Sequence, residues 1–297
     1  MTKYLFKSLI ILLVFILPFI ASGLSSLITK HILVDTFGLT DGSRLIFDFL
    51  LMFFVVLLSL KLFDKHIGIN AVLITVGISL IVLFILNASG KTIKFSVKIA
   101  PLYISRILGL VAAFHYFIRK QNKLKIPLLL FIFPLILSMG INDLWVHKIE
   151  YGNWTGEVQA QQVANFELQN KEGAVVNNQT LKGKIVLFDF WYINCGPCWK
   201  NFPKLQQIYN KYEANPLVEV YAVNRPMRYD KPSALFSKIE DKGYTFPVLK
   251  GSQNVMDILG VYKYPTVMIL NQNGDMVFMG ELRNAEKKLE SLLASIQ

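Results

Sequence analysis

The sequence predicts a chain of two parts, an α-helical domain that crosses a membrane several times and an α/β domain with a central mixed sheet flanked by helices. Three observations predict it. Residues 1–150 consist largely of long apolar runs, whereas residues 151–297 have the mixed composition of a water-soluble domain. Short apolar strands alternate with helical stretches in the second part. The only two cysteines, Cys195 and Cys198, directly follow one of those strands.

The formal net charge of +11 is concentrated in the first part. Residues 1–150 carry 15 basic and 6 acidic residues, and the remainder carries 16 and 14. Basic residues beside apolar segments commonly set membrane orientation, whereas a nucleic-acid-binding protein carries a basic face on a soluble domain. We therefore expect a lipid bilayer as a partner and no nucleic acid.

A membrane-spanning helix needs roughly 17–25 mostly apolar residues. Five segments come near this length, which predicts a transmembrane domain over residues 1–147 with helices at about 5–28, 45–63, 67–87, 100–118 and 126–146. The first segment could be a cleaved signal peptide. Its apolar stretch is longer than is usual for one and further spans follow, so we expect a retained anchor.

The orientation follows from the basic residues of the short loops. With the N-terminus in the cytoplasm, eight basic residues lie inside and six lie outside. The densest cluster, at 119–125, is inside and supports this orientation, whereas the cluster at 91–98 is outside and favours the opposite one. Five crossings then place the chain after about residue 147 outside the cytoplasm. Asp48 and Arg106 both fall in the outer halves of their helices, and we expect a structural ion pair, or an Arg106 side chain that extends to the membrane interface, rather than a functional site.

Residues 148–162 are polar and lack apolar periodicity, which predicts a linker before an α/β domain over residues 163–297. At about 135 residues, this domain can bury its own core. Its predicted elements are a hairpin at 166–176, strands at 185–191, 218–223, 246–249, 266–270 and 276–279, and helices at about 197–214, 232–242, 254–259 and from 284.

The tetrad Cys195-Gly196-Pro197-Cys198 lies at a strand-to-helix turn, where a C-x-x-C motif is typical of a thiol–disulfide redox pair. At a helix N-terminus the thiol pKa of a cysteine can fall from about 8.5 to roughly 3.5–7.5, because the helix dipole favours the thiolate. We expect Cys195 to be the exposed nucleophile and Cys198 to resolve the mixed disulfide. Pro197 suits the first helical turn, and Gly196 permits close backbone approach.

The alternatives for the cysteine pair are a structural disulfide and half of a metal site. Zinc would require two further ligands, and all four histidines belong to the first part or its edge. We expect no metal and no cofactor beyond the redox-active Cys195–Cys198 disulfide. Because residues 1–150 contain no cysteine, they cannot pass electrons by disulfide exchange, and a separate membrane electron donor is expected.

Asp189 interrupts a segment that is otherwise typical of a strand buried on both faces. Burial raises the pKa of a carboxyl group, so Asp189 is a candidate proton donor and acceptor for Cys198. The alternative is an aspartate at the strand edge that faces solvent. Trp191, two residues further along, either lines the rim of the site and contacts substrate or packs in the core.

Residues 163–297 resemble the TlpA/ResA-like branch of the thioredoxin superfamily, which comprises membrane-tethered bacterial thiol–disulfide oxidoreductases. The first half of the chain lies outside this resemblance. The matching motifs, in the same order and spacing, are Asn165-Phe-Glu-Leu, Leu181-Lys-Gly-Lys184, Phe190-Trp191, the cysteine tetrad, Phe202-Pro203, Tyr264-Pro265-Thr266 and Asn273-Gly274.

The resemblance implies a thioredoxin-like fold with a cis Tyr264–Pro265 bond facing the redox pair and with Tyr264 backbone atoms binding an incoming peptide. It also implies reduction of disulfides in exported proteins, for example in cytochrome c maturation. The enzyme would lie in the bacterial inner membrane with its redox domain on the periplasmic side. The chain departs from the branch at Asp189, where Asn is more common, and at Asn201, where the ResA type carries a glutamate. We therefore expect proton transfer through Asp189.

Other functions fit parts of the sequence. The membrane helices could form a small-molecule-binding or assembly protein, with the second domain as a docking module. A peroxidase of the peroxiredoxin kind would need a Thr-x-x-Cys element, and Ile193-Asn194 stands there instead. The segment 225–232 follows a strand at the sheet end where ligands bind, and it either shapes partner choice or is a plain surface loop.

Overall fold

The computed structural model describes residues 2–30, 42–119, 121–228, 230 and 234–296. Lys120 and three residues of the 225–232 segment, Tyr229, Lys231 and Pro232, lie outside the described residues. The chain divides into two compact units, Met1–Ile149 and Glu150–Gln297.

The first unit is helical. Its helices are α1 (Thr2–Ile28), α2 (Ser43–Ile67), α3 (Ile69–Ala88), α4 (Ile93–Ile118) and α5 (Lys125–Ile136), and α6 (Asn142–Tyr151) ends two residues into the second unit. Within the described part of the chain, five helical stretches are long and apolar enough to cross a membrane, judged by length and composition. They are Lys3–Ile28, Ser43–Ile67, Ile69–Ala88, Ile93–Ile118 and Lys125–Tyr151. These apolar helices suggest a membrane protein.

The helices α2 and α4 pack closely at Gly109, where an added Cβ would lie 2.5 Å from the carbonyl oxygen of Phe49. The expected ion pair joins the same two helices, with Arg106 Nη2 3.4 Å from Asp48 Oδ1. Arg106 also donates a hydrogen bond to Ser22 Oγ on α1 at 2.8 Å. Both charged side chains are buried, and this pairing partly offsets the cost of removing the charges from water.

The fifth predicted span, 126–146, lies within the candidate span Lys125–Tyr151, but the helix there is kinked. The continuous helix expected there is interrupted by a kinked turn at Leu137–Ile141, where Met139 and Gly140 have non-helical backbone angles and separate α5 from α6. Gly140 adopts a φ of 106° inside this turn. Glycine lacks a Cβ and reaches this region of backbone space at little cost, so apolar composition alone did not reveal the break.

The second unit contains one eight-stranded sheet in the order β1-β8-β7-β4-β5-β6-β2-β3. The strands are β1 (Glu157–Gln162), β2 (Glu167–Gln169), β3 (Val175–Asn177), β4 (Ile185–Trp191), β5 (Val218–Asn224), β6 (Val248–Lys250), β7 (Thr266–Leu270) and β8 (Asp275–Gly280). At the centre, β4 pairs in parallel with β5 and antiparallel with β7, so the sheet is mixed.

Both faces of the sheet are covered, because side chains of a strand alternate between the two faces. Ile185, Leu187 and Trp191 of β4 pack against α7 (Gly196–Tyr212) and α10 (Leu282–Ala294). On the opposite face, Val186, Phe188 and Phe190 pack with residues that include Val255 and Met256 of α9 (Gln253–Ile258). The remaining helix, α8, spans Ala234–Glu240. Every residue of β4 is buried.

The predicted linker at 148–162 is wrong for most of its length. Residues up to Tyr151 complete α6, and Glu157–Gln162 form the edge strand β1, which pairs antiparallel with β8. The side chains of β1 are mostly exposed and polar, because backbone hydrogen bonds to a single neighbour hold an edge strand. An apolar pattern is therefore absent from the sequence of β1.

Candidate active site

The redox tetrad begins helix α7. Cys195 is the N-cap residue, and its Sγ accepts a hydrogen bond from the backbone N–H of Cys198 at 3.2 Å. Gly196 and Pro197 form the first turn, where proline is tolerated because its missing N–H would have no helical partner. Cys195 and Cys198 are joined by a disulfide bond with their Cα atoms 5.3 Å apart.

Cys195 is less accessible than the sequence predicted. In the disulfide form it is 1% exposed and Cys198 is fully buried. The Sγ of Cys195 is engaged by the disulfide and by the Cys198 N–H, and the residue belongs to the apolar core on this face of the sheet. The exposed residues of the tetrad are Gly196 and Pro197.

Asp189 lies in the middle of β4, opposite Ala222 of β5 and Val267 of β7. By the alternation along the strand it shares the face of Leu187 and Trp191, which is the face that α7 covers. Asp189 is 0% exposed, and neither carboxyl oxygen has a hydrogen-bond partner among the described residues. This burial raises the pKa of Asp189 from 3.8 to about 8. The predicted solvent-facing alternative is therefore excluded.

The loop before β7 contains the cis peptide bond that the resemblance implied, between Tyr264 and Pro265. Its Tyr264 ring meets the Tyr192 ring edge to face, with the centroids 5.6 Å apart. Tyr192 follows β4 directly, and its carbonyl oxygen accepts a hydrogen bond from the Cys195 N–H at 3.0 Å. The two tyrosines thus connect the cis-proline loop to the redox turn.

Trp191 does not reach the rim of the site. It is 0% exposed and packs edge to face against Trp199 at 5.4 Å and Phe202 at 5.1 Å. The substrate-binding role predicted for its side chain is contradicted by this burial. Trp199 is partly exposed, and its indole N–H donates to the carbonyl oxygen of Ile193 at 2.7 Å, which ties the start of α7 to the redox turn.

Sequence reasoning missed a segment that holds the cis-proline loop, residues 150–156, here called the strap. The Tyr151 hydroxyl donates a hydrogen bond to the Pro265 carbonyl oxygen at 3.3 Å. Glu150 forms an ion pair with Lys263, whose Nζ lies 4.9 Å from the centre of the Tyr151 ring. The strap falls in the predicted linker, and no motif of the sequence marks it.

The far end of the strap is fixed to β8. Asn153 Nδ2 donates to the Met279 carbonyl oxygen at 3.0 Å, and the Met279 N–H donates to the Gly156 carbonyl oxygen at 2.7 Å. Gly156 has a φ of 97°, and an added Cβ would lie 2.2 Å from the Phe278 ring. The position therefore requires glycine both for its conformation and for its space.

A disulfide at the N-terminus of a helix, a buried acid on the strand before it and a cis-proline loop before a neighbouring strand of the mixed sheet define a class of protein, the thioredoxin-like thiol–disulfide oxidoreductases. Residues 160–279 match the model of the AhpC/TSA family. The thiol-disulfide oxidoreductase ResA of Halalkalibacterium halodurans is 30% identical over 139 residues, which cover 46% of this chain and 76% of ResA. The chain belongs to the ResA family of thiol–disulfide oxidoreductases.

Two further proteins are similar over the same half. The thioredoxin-like protein YneN of Bacillus subtilis is 26% identical over 140 residues, which cover 47% of this chain and 81% of YneN. The solution structure of a putative thioredoxin from Neisseria meningitidis matches with a TM-score of 0.41 and 23% identity, covering 46% of this chain and 92% of that one.

The raised pKa of Asp189 predicts a pH-dependent stability of the oxidised protein. The folded state keeps this carboxyl protonated up to about pH 8, whereas the unfolded chain releases the proton near 3.8. Its contribution to stability is therefore complete below pH 3.8 and is lost as the pH rises to about 8, at about 1 kcal/mol per pH unit. Asp189→Asn removes this dependence, so the stability of the variant relative to the wild type should increase as the pH rises.

The difference in stability between the two proteins is measured by urea unfolding of the full-length oxidised protein between pH 5 and pH 8. Tryptophan fluorescence monitors the unfolding. Asp241→Asn, at an exposed turn after α8, supplies the background from a surface aspartate. Parallel pH curves for the wild type and Asp189→Asn would contradict the assignment.

Tyr151→Phe removes the hydrogen bond to the Pro265 carbonyl while keeping the ring. A hydrogen bond of this kind is worth about 1 kcal/mol, so the KM for a disulfide peptide should rise about fivefold because the cis-proline loop is less firmly held. The measurement is steady-state peptide reduction with dithiothreitol as electron supply.

Tyr221→Phe is the matched control, because the Tyr221 hydroxyl donates to Glu219 Oε2 at 3.2 Å on the opposite face of the sheet. It should cost similar stability and leave the KM unchanged. An equal rise in the KM of both variants would assign Tyr151 a structural role only.

Proposed function

We propose that the protein is a membrane-anchored thiol–disulfide oxidoreductase that reduces disulfides of exported proteins outside the cytoplasm, for example in cytochrome c maturation. The observation that carries the proposal is the Cys195–Cys198 disulfide at the start of α7, with the buried Asp189 on the strand that precedes it. A structural disulfide would need neither a buried acid without hydrogen bonds nor a facing cis-proline loop.

The client reaction begins from the dithiol form. The Cys195 thiolate, favoured by its place at the helix N-terminus, attacks one sulfur of the client disulfide. The client sulfur–sulfur bond breaks, one client cysteine leaves as a thiolate, and a mixed disulfide forms with Cys195. The Cys198 thiol then loses its proton and attacks Cys195. This restores the Cys195–Cys198 disulfide and releases the second client thiolate, so two electrons have passed to the client.

Asp189 handles the proton of Cys198 in both directions. In the oxidised protein its burial keeps it protonated, since its pKa is about 8. When an electron donor opens the disulfide by attack on Cys195, Asp189 donates this proton to the departing Cys198 thiolate. The resulting carboxylate accepts the proton again when Cys198 resolves the client mixed disulfide. A buried acid without competing hydrogen bonds is suited to this exchange.

The client binds across the cis-proline loop. Backbone atoms of Tyr264 pair with an extended client segment beside its cysteine, in the manner of an added strand. Pro265 keeps the loop free of a competing N–H at that point. Gly196 and Pro197 form the exposed surface that the client crosses to reach the disulfide, and an added Cβ at Gly196 would meet no atom within 4 Å.

The membrane half anchors the enzyme in a bacterial inner membrane. Five candidate spans in the described residues and the basic residues of the loops support a cytoplasmic N-terminus and a redox domain on the periplasmic side. Because residues 1–150 contain no cysteine, the electrons come from a separate membrane protein that presents its own thiols.

Trapping tests the proposal in cells. The Cys198→Ala variant cannot resolve the mixed disulfide, so Cys195 should retain its clients covalently. We expect exported proteins with paired cysteines to be captured, among them c-type cytochromes before haem attachment. The adducts are separated on non-reducing gels and identified by mass spectrometry.

The control is the double variant Cys195→Ala/Cys198→Ala, which should capture none of these proteins. Captured clients that are all cytoplasmic would contradict the orientation. Equal yields from the single and double variants would contradict the redox role of Cys195.

A further inference from the structure

Two cationic side chains stand beside the redox tetrad, each over an aromatic ring. The guanidinium of Arg225 lies 5.6 Å from the centre of the Tyr264 ring, in the cis-proline loop. Lys242 Nζ lies 5.5 Å from the Trp199 ring, and Trp199 follows Cys198 in the first turns of α7. One cation thus adjoins the cis-proline loop, and the other adjoins the helix that begins at the disulfide.

The backbone fixes Arg225 at this edge. Arg225 follows β5, and its N–H donates to the Trp191 carbonyl oxygen at 2.8 Å, which continues the β4–β5 pairing by one residue towards the redox turn. The Tyr264 ring beneath its guanidinium is itself held edge to face by Tyr192. The backbone of Arg225 is therefore fixed by the sheet, and its charge stays close to the cis-proline loop.

Neither cation is neutralised by a described residue. Arg225 and Lys242 form no salt bridge with the described part of the chain, and the buried Nε of the half-exposed Arg225 has no hydrogen-bond partner. Salt bridges of this unit involve seven of its other basic residues, namely Lys171, Lys184, Lys204, Lys211, Lys263, Arg283 and Lys288. The solvent-facing part of the Arg225 guanidinium keeps its positive charge, and a carboxylate brought by a partner would pair with it.

We propose that Arg225, assisted by Lys242, selects clients that carry acidic residues next to their disulfide. The ligand class is an acidic segment of a disulfide-containing polypeptide. This inference rests on the proposed function, because the acidic segment is recognised while the client disulfide lies over Cys195. Charge complementarity of this kind raises the association rate and is weakened by salt.

The test uses the full-length protein in detergent, reduced beforehand, and single-turnover transfer to two disulfide peptides of equal length. One peptide carries aspartates beside its cysteines and the other carries lysines. We expect the wild type to reduce the acidic peptide about tenfold faster at low salt, with this ratio falling in 0.5 M salt. Arg225→Gln should lower the ratio to about threefold, and Arg225→Gln/Lys242→Gln should bring it close to one.

Lys182→Gln is the matched control. It removes one positive charge at an exposed turn before β4, at the end of the strand opposite the redox tetrad, and should keep the tenfold ratio. Because the ratio compares two clients of one protein, a change in the intrinsic reactivity of Cys195 cancels.

Equal rates for the two peptides in the wild type, or an unchanged ratio in Arg225→Gln, would overturn the inference while leaving the reductase function intact. The same fall of the rate ratio in Lys182→Gln would assign the preference to the net charge of the protein and would also overturn the inference. Transfer to neither peptide would overturn the proposed function and this inference together.

Discussion

The hydrogen-bond register of strand β4 with its two neighbours places every part of the active site. Trp191 ends β4 opposite Asn224 of β5, so the redox turn and Arg225 emerge side by side. Phe190 pairs with Thr266 of β7, which brings the preceding cis Pro265 to the same edge. A shift of one residue would turn the buried face outward, and β4 is apolar on both faces except at Asp189. The core that stabilises the strand therefore also aligns the chemistry.

Asp189 is the exception that this core accommodates. An ionised carboxylate without hydrogen bonds is costly in an apolar layer, and the group responds by remaining neutral, with its pKa raised to about 8. The same rise in pKa brings the protonation equilibrium of Asp189 close to the working pH of an enzyme, where an acid can both donate and accept a proton. The energetic penalty and the proposed catalytic role thus have one physical cause, the burial of this side chain beneath α7.

Local patterns predicted what depends on local physics. The buried strand 185–191 and the cysteine pair at a helix start are confirmed, and the cis bond implied by the resemblance is present. The features that the sequence did not predict depend on long-range packing. Trp191 is buried by Trp199 and Phe202, β1 is held by backbone bonds to β8, and Tyr151 acquires its role only because the chain returns to Pro265. None of these contacts leaves a periodicity or motif in the sequence.

The central claim is that the Cys195–Cys198 pair passes two electrons to a client disulfide. It is tested most directly by mixing the reduced full-length protein with insulin, alkylating free thiols over time and counting the tags on both proteins by intact mass. The account predicts that one Cys195–Cys198 disulfide re-forms for each insulin disulfide opened, and that Cys195→Ser opens none. Insulin disulfides that stay intact while Cys195 and Cys198 remain reduced would contradict it.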